Sequence, residues 1–122
     1  MTKNKKNILL CSATTKEIQD LIYFFRKKYH TKKIQKNFFQ VNYNKHNIYI
    51  LITGVGMVNT AFYLGTISNY PIDFAINAGI AGSFEKSLKI GEVVVVKEDV
   101  FSELGAEDGT SFFKTIRDCT WQ

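Results

Sequence analysis

A short apolar segment, Asp73 to Ala78, leads directly into a run of small residues, Ala78-Gly79-Ile80-Ala81-Gly82. An earlier apolar segment, Ile48 to Thr53, is followed in the same way by Gly54-Val55-Gly56. Short apolar segments that end in glycine are typical of buried strands followed by tight turns. In open α/β sheets, such turns at the carboxyl ends of strands let a flat ligand approach the backbone. The two turns therefore predict an α/β domain with a ligand site at one sheet edge, although two tight turns without a ligand would give the same pattern.

The first part of the chain predicts one strand, one helix and a hairpin. Ile8 to Ala13 is a short apolar run, as in a buried strand. Thr14 and Glu17 have the spacing of a capping box, and the apolar residues that follow recur on one helix face up to Tyr29. Residues 30–37 are polar and are predicted to be a linker. Phe38 to Tyr43 is expected to pair with the strand at 48–53 as a β-hairpin.

The rest of the chain predicts a second helix and further strands. Met57 to Ser68 is expected to be helical, with five small or apolar residues facing the sheet: Val58, Ala61, Phe62, Leu64 and Gly65. Residues 73–78 and Ile90 to Lys97 are expected to be strands, the second centred on the apolar run Glu92 to Val96. Phe112 to Ile116 has the composition to begin a helix. The order β-α-β-β-α-β-β predicts an α/β fold: a mixed central sheet flanked by helices.

Composition narrows the class of protein. The chain has 122 residues, 45% of them apolar, which suits a globular domain and not a disordered chain. No apolar run reaches the roughly 20 residues of a membrane-spanning helix, and the basic N-terminus lacks the pattern of a signal peptide. We therefore expect a cytoplasmic protein that does not bind membranes. Cys11 and Cys119 have no metal-binding spacing, and a disulfide between them is not expected.

The charge is uneven along the chain. Eleven of the sixteen Lys and Arg residues lie within residues 1–50, and the net charge is +5. A basic half can bind nucleic acid, but these lysines are scattered over a tail, a helix end and a hairpin without a nucleic-acid-binding motif. A solvated basic face is the prediction, with no nucleic-acid partner.

Glu17 is the candidate catalytic residue. It follows the first strand, where a carboxylate can activate water or protonate a leaving group. It is also the reciprocal partner in a capping box, and spacing alone favours this capping role. The Gly54 turn and the Ala78–Gly82 turn are candidate sites for an anion or a ribose against backbone N–H groups. A third group, Glu103, Glu107 and Asp108, either lines a polar pocket or forms a solvated turn; without histidine or cysteine, no metal site is predicted.

Four runs together resemble the nucleoside phosphorylase and nucleosidase superfamily: Thr53-Gly54-Val55-Gly56-Met57-Val58, Ile76-Asn77-Ala78-Gly79-Ile80-Ala81-Gly82-Ser83-Phe84, Ile90-Gly91-Glu92-Val93, and Phe101 to Gly109. The last run is most similar to futalosine hydrolases, which release hypoxanthine from futalosine in an alternative menaquinone pathway. The resemblance implies a three-layer fold, N-glycosidic hydrolysis of a purine nucleoside without a cofactor, and homo-oligomers in the full-length family.

The resemblance also assigns roles to residues. The segment from Ser12 to Glu17 matches the one in which related methylthioadenosine nucleosidases place a water-holding glutamate, so it implies that Glu17 is catalytic. Substrate-binding roles are implied for Gly54, Val55 and Met57 in the ribosyl pocket, and for Ile80, Ala81 and Gly82 beside the ribose and base. Phosphorylases usually hold the phosphate dianion with arginines and glycine-rich backbone, and the chain has only two arginines, Arg26 and Arg117. Arg26 is predicted to lie away from the strand ends, and the Glu17 carboxylate would repel phosphate, so hydrolysis is favoured over phosphorolysis.

The chain departs from the family in length, because members are about twice as long, as single-domain α/β enzymes often are. We expect residues 1–7 to be a basic tail, residues 8–113 to be the N-terminal part of the domain, and residues 114–122 to be an aperiodic tail. The residues that grip the ribose hydroxyls and protonate the purine would then lie outside this chain. We therefore expect the chain to be an N-terminal portion, from a shortened or frameshifted reading frame or completed by another polypeptide. The alternatives to futalosine hydrolysis are a methylthioadenosine or S-adenosylhomocysteine nucleosidase, or a non-catalytic fragment that binds a partner chain or nothing.

Overall fold

The computed structural model of the chain describes residues 4–99, 105, 106, 109, 114 and 115. The backbone divides into two compact units, residues 1–82 and residues 83–122. In the described part of the chain, no helix has both the length and the apolar character needed to cross a membrane.

The first unit is built on one mixed sheet. Its strands are β1 (Asn7–Ser12), β2 (Thr31–Gln35), β3 (Phe38–Tyr43), β4 (His46–Ile52) and β5 (Phe74–Asn77), in the spatial order β2-β3-β4-β1-β5. β1 runs parallel to both β4 and β5, whereas β2, β3 and β4 are joined as antiparallel neighbours. A 3₁₀ turn (Lys16–Ile18) precedes α1 (Gln19–Lys28), and α2 (Met57–Thr66) links β4 to β5. The predicted α/β fold with a mixed sheet and helices is confirmed.

The core lies on both faces of this sheet, because alternate residues of a strand point to opposite faces. The cluster that includes Ile67, just after α2, consists of Leu9, Cys11, Phe38, Tyr49, Leu51 and Ile67. The cluster on the α1 side consists of Leu10, Ile18, Phe25, Val41, Ile48 and Ile50. In β1, Ser12 follows Leu10 by two residues and so shares the face that α1 covers.

The predicted linker at residues 30–37 is wrong, because most of it forms the edge strand β2. Thr31 pairs with Val41 and Lys33 with Phe39, with a register shift between Lys33 and Gln35. The local sequence, Thr-Lys-Lys-Ile-Gln, is too polar to predict a buried strand. An edge strand needs only one neighbour, and lysines on it discourage pairing with other chains.

The predicted burial of the strand at 73–78 is also wrong. β5 forms as expected, but all four of its residues are exposed, since β1 is its only strand neighbour in the first unit. In the second unit, residues 92–96 form no strand, and the four valines from Val93 to Val96 are exposed. An apolar run becomes a buried strand only when a neighbouring strand and a covering layer are present.

The predicted inner face of α2 is wrong as well. Val58, Phe62 and Leu64 are exposed, and the helix instead turns Thr60 and Tyr63 inward. Tyr63 packs on the cluster that contains the buried Ile67. In the second unit, β6 (Gly105–Ala106) pairs with β7 (Lys114–Thr115), so the predicted helix at 112–116 is wrong at its two described residues.

Candidate active site

Three parallel strands end together at one edge of the sheet. The backbone N–H of Thr53, just after β4, donates to the Ser12 carbonyl at the end of β1 across 2.9 Å. The Ala78 N–H, just after β5, donates to the Cys11 carbonyl, also across 2.9 Å. These bonds hold the loops that follow β1, β4 and β5 side by side, which is where α/β sheets bind ligands.

The Glu17 carboxylate lies at this edge and is held by three hydrogen bonds to one of its oxygens. Its Oε2 accepts from the Thr14 backbone N–H at 2.7 Å, from Ser12 Oγ at 3.0 Å and from Thr14 Oγ1 at 3.1 Å. Ser12 is fully buried, and its hydroxyl lies 3.0 Å from Glu17 Oε2 and 3.2 Å from the Thr14 carbonyl oxygen. Glu17 is therefore oriented by the end of β1 itself.

Only half of the predicted capping box forms. Glu17 does reach back to the Thr14 N–H, as the motif requires. The Thr14 hydroxyl, however, donates to Glu17 instead of accepting from the helix backbone, and the N-cap residue of the 3₁₀ turn, Thr15, makes no side-chain cap. The second half of the box is thus replaced by an additional hydrogen bond to the carboxylate.

These contacts keep Glu17 ionised. Hydrogen bonds from the Thr14 backbone N–H and the Ser12 hydroxyl, with smaller contributions from the Thr14 hydroxyl and the Ile80 backbone N–H, lower the pKa of Glu17 below its usual value, against a partial opposing effect of burial. Each donor favours the charged form because it bonds a carboxylate more strongly than a carboxylic acid. At neutral pH the edge of the sheet therefore presents a fixed negative charge.

The other carboxylate oxygen of Glu17 faces the loop after β5. A methyl group added at Gly79 would lie only 3.2 Å from Oε1. Two regions that are far apart in sequence thus meet at Glu17, and a glycine leaves room for the carboxylate. A carboxylate fixed in this way can orient a water molecule and stabilise positive charge that develops on a nearby substrate.

The turn after β4 needs its glycines. Gly54 has a φ of 79° and Gly56 a φ of 96°, a region of backbone conformation that other residues rarely adopt. Side chains from the first turns of α2 hold the turn, since Asn59 Nδ2 donates to the Val55 carbonyl at 2.8 Å and Thr60 Oγ1 donates to the Gly56 carbonyl at 3.0 Å. The turn is a preformed wall beside the end of β1.

The other predicted substrate-binding residues are more open. The Val55 side chain is 72% exposed and the Ile80 side chain 83% exposed, and Met57, Ala81 and Gly82 are also exposed. Only the Ile80 backbone, through its N–H, is brought to Glu17. Substrate-binding roles for Gly54, Val55, Met57, Ile80, Ala81 and Gly82 stay predictions. The acidic residues of the third candidate group, at 103, 107 and 108, lie outside the described residues.

Arg26 lies elsewhere than the sequence predicts. It belongs to the last turn of α1, but it lines a cavity that Thr15, Ile52 and Gly54 also line, at the carboxyl end of β4. The expectation that Arg26 lies away from the strand ends is therefore wrong. The Arg26 guanidinium carbon lies 5.6 Å from the centre of the Phe39 ring, and Phe39 pairs with Ile50, two residues before the end of β4.

Sequence reasoning missed Ser12 and Gly79 as partners of Glu17. A buried hydroxyl at the last position of an apolar strand is the signal that could have indicated Ser12. No local signal indicates Gly79, because its contact with Glu17 joins positions that only the folded sheet brings together.

Comparison with known protein families matches residues 7–118 to the phosphorylase superfamily. The chain belongs to this superfamily. The match begins at the first residue of β1 and includes both glycine turns and Glu17.

Similar proteins within the superfamily include two kinds of nucleosidase. The chain is 29% identical over 92 residues to a 5′-methylthioadenosine/S-adenosylhomocysteine nucleosidase of Buchnera aphidicola, covering 74% of this chain and 38% of the relative. It is 37% identical over 60 residues to the futalosine hydrolase of Thermus thermophilus, covering 48% of this chain and 27% of the relative. The chain thus spans less than half the length of these relatives.

Solved structures share the fold. The 5′-methylthioadenosine/S-adenosylhomocysteine nucleosidase of Campylobacter jejuni superposes with a TM-score of 0.58 at 24% identity, covering 71% of this chain and 38% of that one. A futalosine hydrolase mutant of Helicobacter pylori gives a TM-score of 0.56 at 22% identity, and the match covers 70% of this chain and 39% of that one. At these identities, the likeness supports the fold alone.

Proposed function

We propose that this chain provides the water-positioning part of a purine nucleosidase active site, with Glu17 as the catalytic carboxylate and futalosine as the substrate. One observation supports the proposal most strongly: an ionised carboxylate is fixed where the loops after β1 and β5 meet, with one oxygen held by three donors and the other facing Gly79. A capping role alone would not require the Ser12 and Thr14 hydroxyls to converge on the carboxylate.

In the proposed reaction, Glu17 accepts a hydrogen bond from a water molecule that attacks C1′ of the ribose. The water oxygen bonds to C1′ as the N-glycosidic bond breaks, the water proton passes to Glu17, and the bonding electrons leave with the purine. The purine takes up a proton from a general acid, for which we assign no described residue. A carboxylate of lowered pKa is a weak base, so its main effects here are to orient the water and to stabilise positive charge on the ribosyl group.

Hydrolysis is favoured over phosphorolysis by charge at the attacking position. A phosphate dianion placed against the Glu17 carboxylate would be repelled, whereas a neutral water molecule would be attracted as a hydrogen-bond donor. Arg26 lines a cavity at the strand ends, where it could bind an anion, so the activity assay compares reactions with and without inorganic phosphate.

Two alternatives have support of their own. Nucleosidases that act on 5′-methylthioadenosine or S-adenosylhomocysteine match a longer part of the chain than the futalosine hydrolase does, 92 residues against 60. A non-catalytic role is favoured by the exposure of β5 and of Val93 to Val96, which leaves apolar surface for another polypeptide to cover.

The test is purine release by the 122-residue chain, alone and extended with the sequence encoded after Gln122. Futalosine, 5′-methylthioadenosine and S-adenosylhomocysteine are supplied in turn, with and without inorganic phosphate, and hypoxanthine or adenine is measured by chromatography. We expect at least one of the two proteins to release hypoxanthine from futalosine without phosphate. In that protein, Glu17→Gln is expected to lower the rate about 10²–10⁴-fold.

The matched control is Glu85→Gln. Glu85 also has a lowered pKa, because the Ser87 backbone N–H donates to it at 3.0 Å, but it belongs to the second unit and is not proposed to act on substrate. Equal rates for Glu17→Gln and the unsubstituted protein would refute the catalytic role. If 5′-methylthioadenosine is cleaved and futalosine is not, 5′-methylthioadenosine replaces futalosine as the proposed substrate. Purine release by the extended chain only would show that the 122-residue chain is not catalytic by itself.

A further inference from the structure

A cavity of about 430 Å³ opens at the carboxyl end of β4, on the side of the sheet edge toward β3. Its polar lining residues include Arg26, Lys36, Asn37 and Thr15. None of its lining residues in the described part of the chain is acidic. A concave surface with two cations and no carboxylate favours an anionic ligand.

The two cations differ in how firmly they are placed. The Arg26 guanidinium carbon lies 5.6 Å from the centre of the Phe39 ring, a cation–π contact that orients the planar group. An oriented guanidinium can donate two parallel hydrogen bonds to a carboxylate or a phosphate. Lys36 adds a second positive charge from a different element, the turn between β2 and β3, and its side chain makes no cation–π contact among the described residues.

The remaining lining is apolar and aromatic. Phe39, Ile52, Tyr63 and Ile22 contribute to the wall. Such a wall suits the body of a small organic molecule better than a bare hydrated ion, because burial of apolar surface adds to the affinity. The lining therefore favours a ligand that combines an anionic group with a flat or apolar part.

The cavity adjoins the position of Glu17 without including it. Gly54 lines the cavity, and the preceding Thr53 is tied to the Ser12 carbonyl by its backbone N–H. Thr15 also lines the cavity and follows Thr14, whose backbone N–H holds the Glu17 carboxylate. A ligand that spans both places would have its reacting end at Glu17 and its anionic end at Arg26.

We propose that this cavity binds the anionic group of a small molecule, with Arg26 and Lys36 as its ligands and Phe39 beside its apolar part. The assignment of that molecule as the substrate rests on the function proposed above. An aromatic carboxylate has both the charge and the flat apolar part that this lining favours, whereas the methylthio group of 5′-methylthioadenosine is uncharged. Inorganic phosphate is the other source of the same oxyanion chemistry.

The experiment measures binding of benzoate, benzamide and inorganic phosphate to the 122-residue chain by ligand-observed NMR, followed by competition between the two anions. We expect benzoate to bind at least about tenfold more tightly than benzamide, which has the same shape without the charge. Lys36→Gln and Arg26→Gln are expected to raise the Kd for benzoate about threefold to tenfold.

Lys33→Gln is the matched control. Lys33 belongs to the same hairpin but lines a neighbouring cavity of about 410 Å³, which shares Arg26 and Phe39 with this one but not Lys36. Lys33→Gln therefore changes the net charge by the same amount and tests the neighbouring cavity as the rival anion site. An unchanged Kd for Lys33→Gln supports the proposal. An equal or larger loss in Lys33→Gln than in Lys36→Gln, or equal binding of benzoate and benzamide, overturns it. If inorganic phosphate displaces benzoate at a concentration lower than that of the benzoate, the result supports the anion site and assigns it to free phosphate.

The readout is independent of catalysis. Benzoate binding with full activity of Glu17→Gln would reject the proposed function and keep the anion site. Loss of activity in Glu17→Gln, together with no benzoate binding by the unsubstituted protein, would support the proposed function and reject the anion site. Because Arg26 and Lys36 are exposed, their substitution is not expected to unfold the protein, and thermal unfolding of each variant checks this directly.

Discussion

Replacement of Gly79 by alanine tests whether Glu17 is held in a fixed position between the ends of β1 and β5. The backbone conformation of Gly79 lies outside the left-handed region, so alanine itself is tolerated. Its methyl group, however, would lie 3.2 Å from Glu17 Oε1, about 0.2 Å inside the range of ordinary contacts that begins at 3.4 Å. Either the loop after β5 or the carboxylate must move by a few tenths of an ångström.

The carboxylate is the part that we expect to move, because the loop backbone is anchored by the Ala78 N–H. A shift of this size disturbs an arrangement in which one oxygen accepts from three donors at once, and the bonds from Ser12 Oγ and Thr14 Oγ1, at 3.0 and 3.1 Å, are already long for O–H···O hydrogen bonds. Because the donors converge on Oε2 from different atoms, a displaced carboxylate cannot keep all three bonds, and the charged form loses stabilisation. The pKa of Glu17 should therefore rise toward its usual value in Gly79→Ala.

The assay is a pH titration of the side-chain carboxyl carbons in ¹³C-labelled protein by NMR, with thermal unfolding to confirm that each variant is folded. Gly82→Ala is the control, since its added methyl group would meet no atom within 4 Å and its φ also lies outside the left-handed region. An unchanged Glu17 pKa in Gly79→Ala, or an equal rise in Gly82→Ala, would refute the inference that Gly79 and the hydroxyls clamp the carboxylate.

Three further outcomes are expected. Ser12→Ala removes a donor to the Glu17 carboxylate, so the folded-state pKa should rise. The lowered pKa stabilises the folded protein at pH values above the unfolded-state pKa of about 4.3, and this stabilisation is lost as the pH falls through the folded-state pKa. Ser12→Ala should therefore lose less of its unfolding free energy in acid than the unsubstituted protein does. Urea titrations over a pH series measure this difference. Phe38→Ala should cost about 3–5 kcal/mol in the same assay, because the ring is fully buried in the core; Phe74→Ala on the exposed edge strand should cost far less, and similar losses at both positions would contradict the assigned core. Gly65→Ala on the open surface of α2 should stabilise the protein by about 0.5–1 kcal/mol, and a destabilisation would indicate a contact at this position that the structure does not contain.

Local pattern was a good guide to the elements whose signals are contained in one stretch of chain. The apolar face after Thr14 predicted α1, the runs around residues 38–43 and 48–53 predicted the hairpin, and the glycines at 54 and 56 predicted a tight turn where φ is in fact positive. The same patterns failed where burial depends on a neighbour. β5 and Val93 to Val96 have the composition of buried strands, but composition does not specify which strand or layer covers them.

By itself the sequence determined the superfamily, the α/β fold and Glu17 as the residue of most interest, because these follow from segments of a few residues that carry their own signal. Tertiary structure decided what surrounds Glu17. The close approach of Gly79 to Glu17 and the shared cavity of Arg26 and Gly54 depend on how β1, β4 and β5 align, and that alignment brings together positions as distant in sequence as Glu17 and Gly79, which are 62 residues apart. Spacing along a chain does not encode such contacts, since they arise from backbone pairing between strands that are distant in sequence.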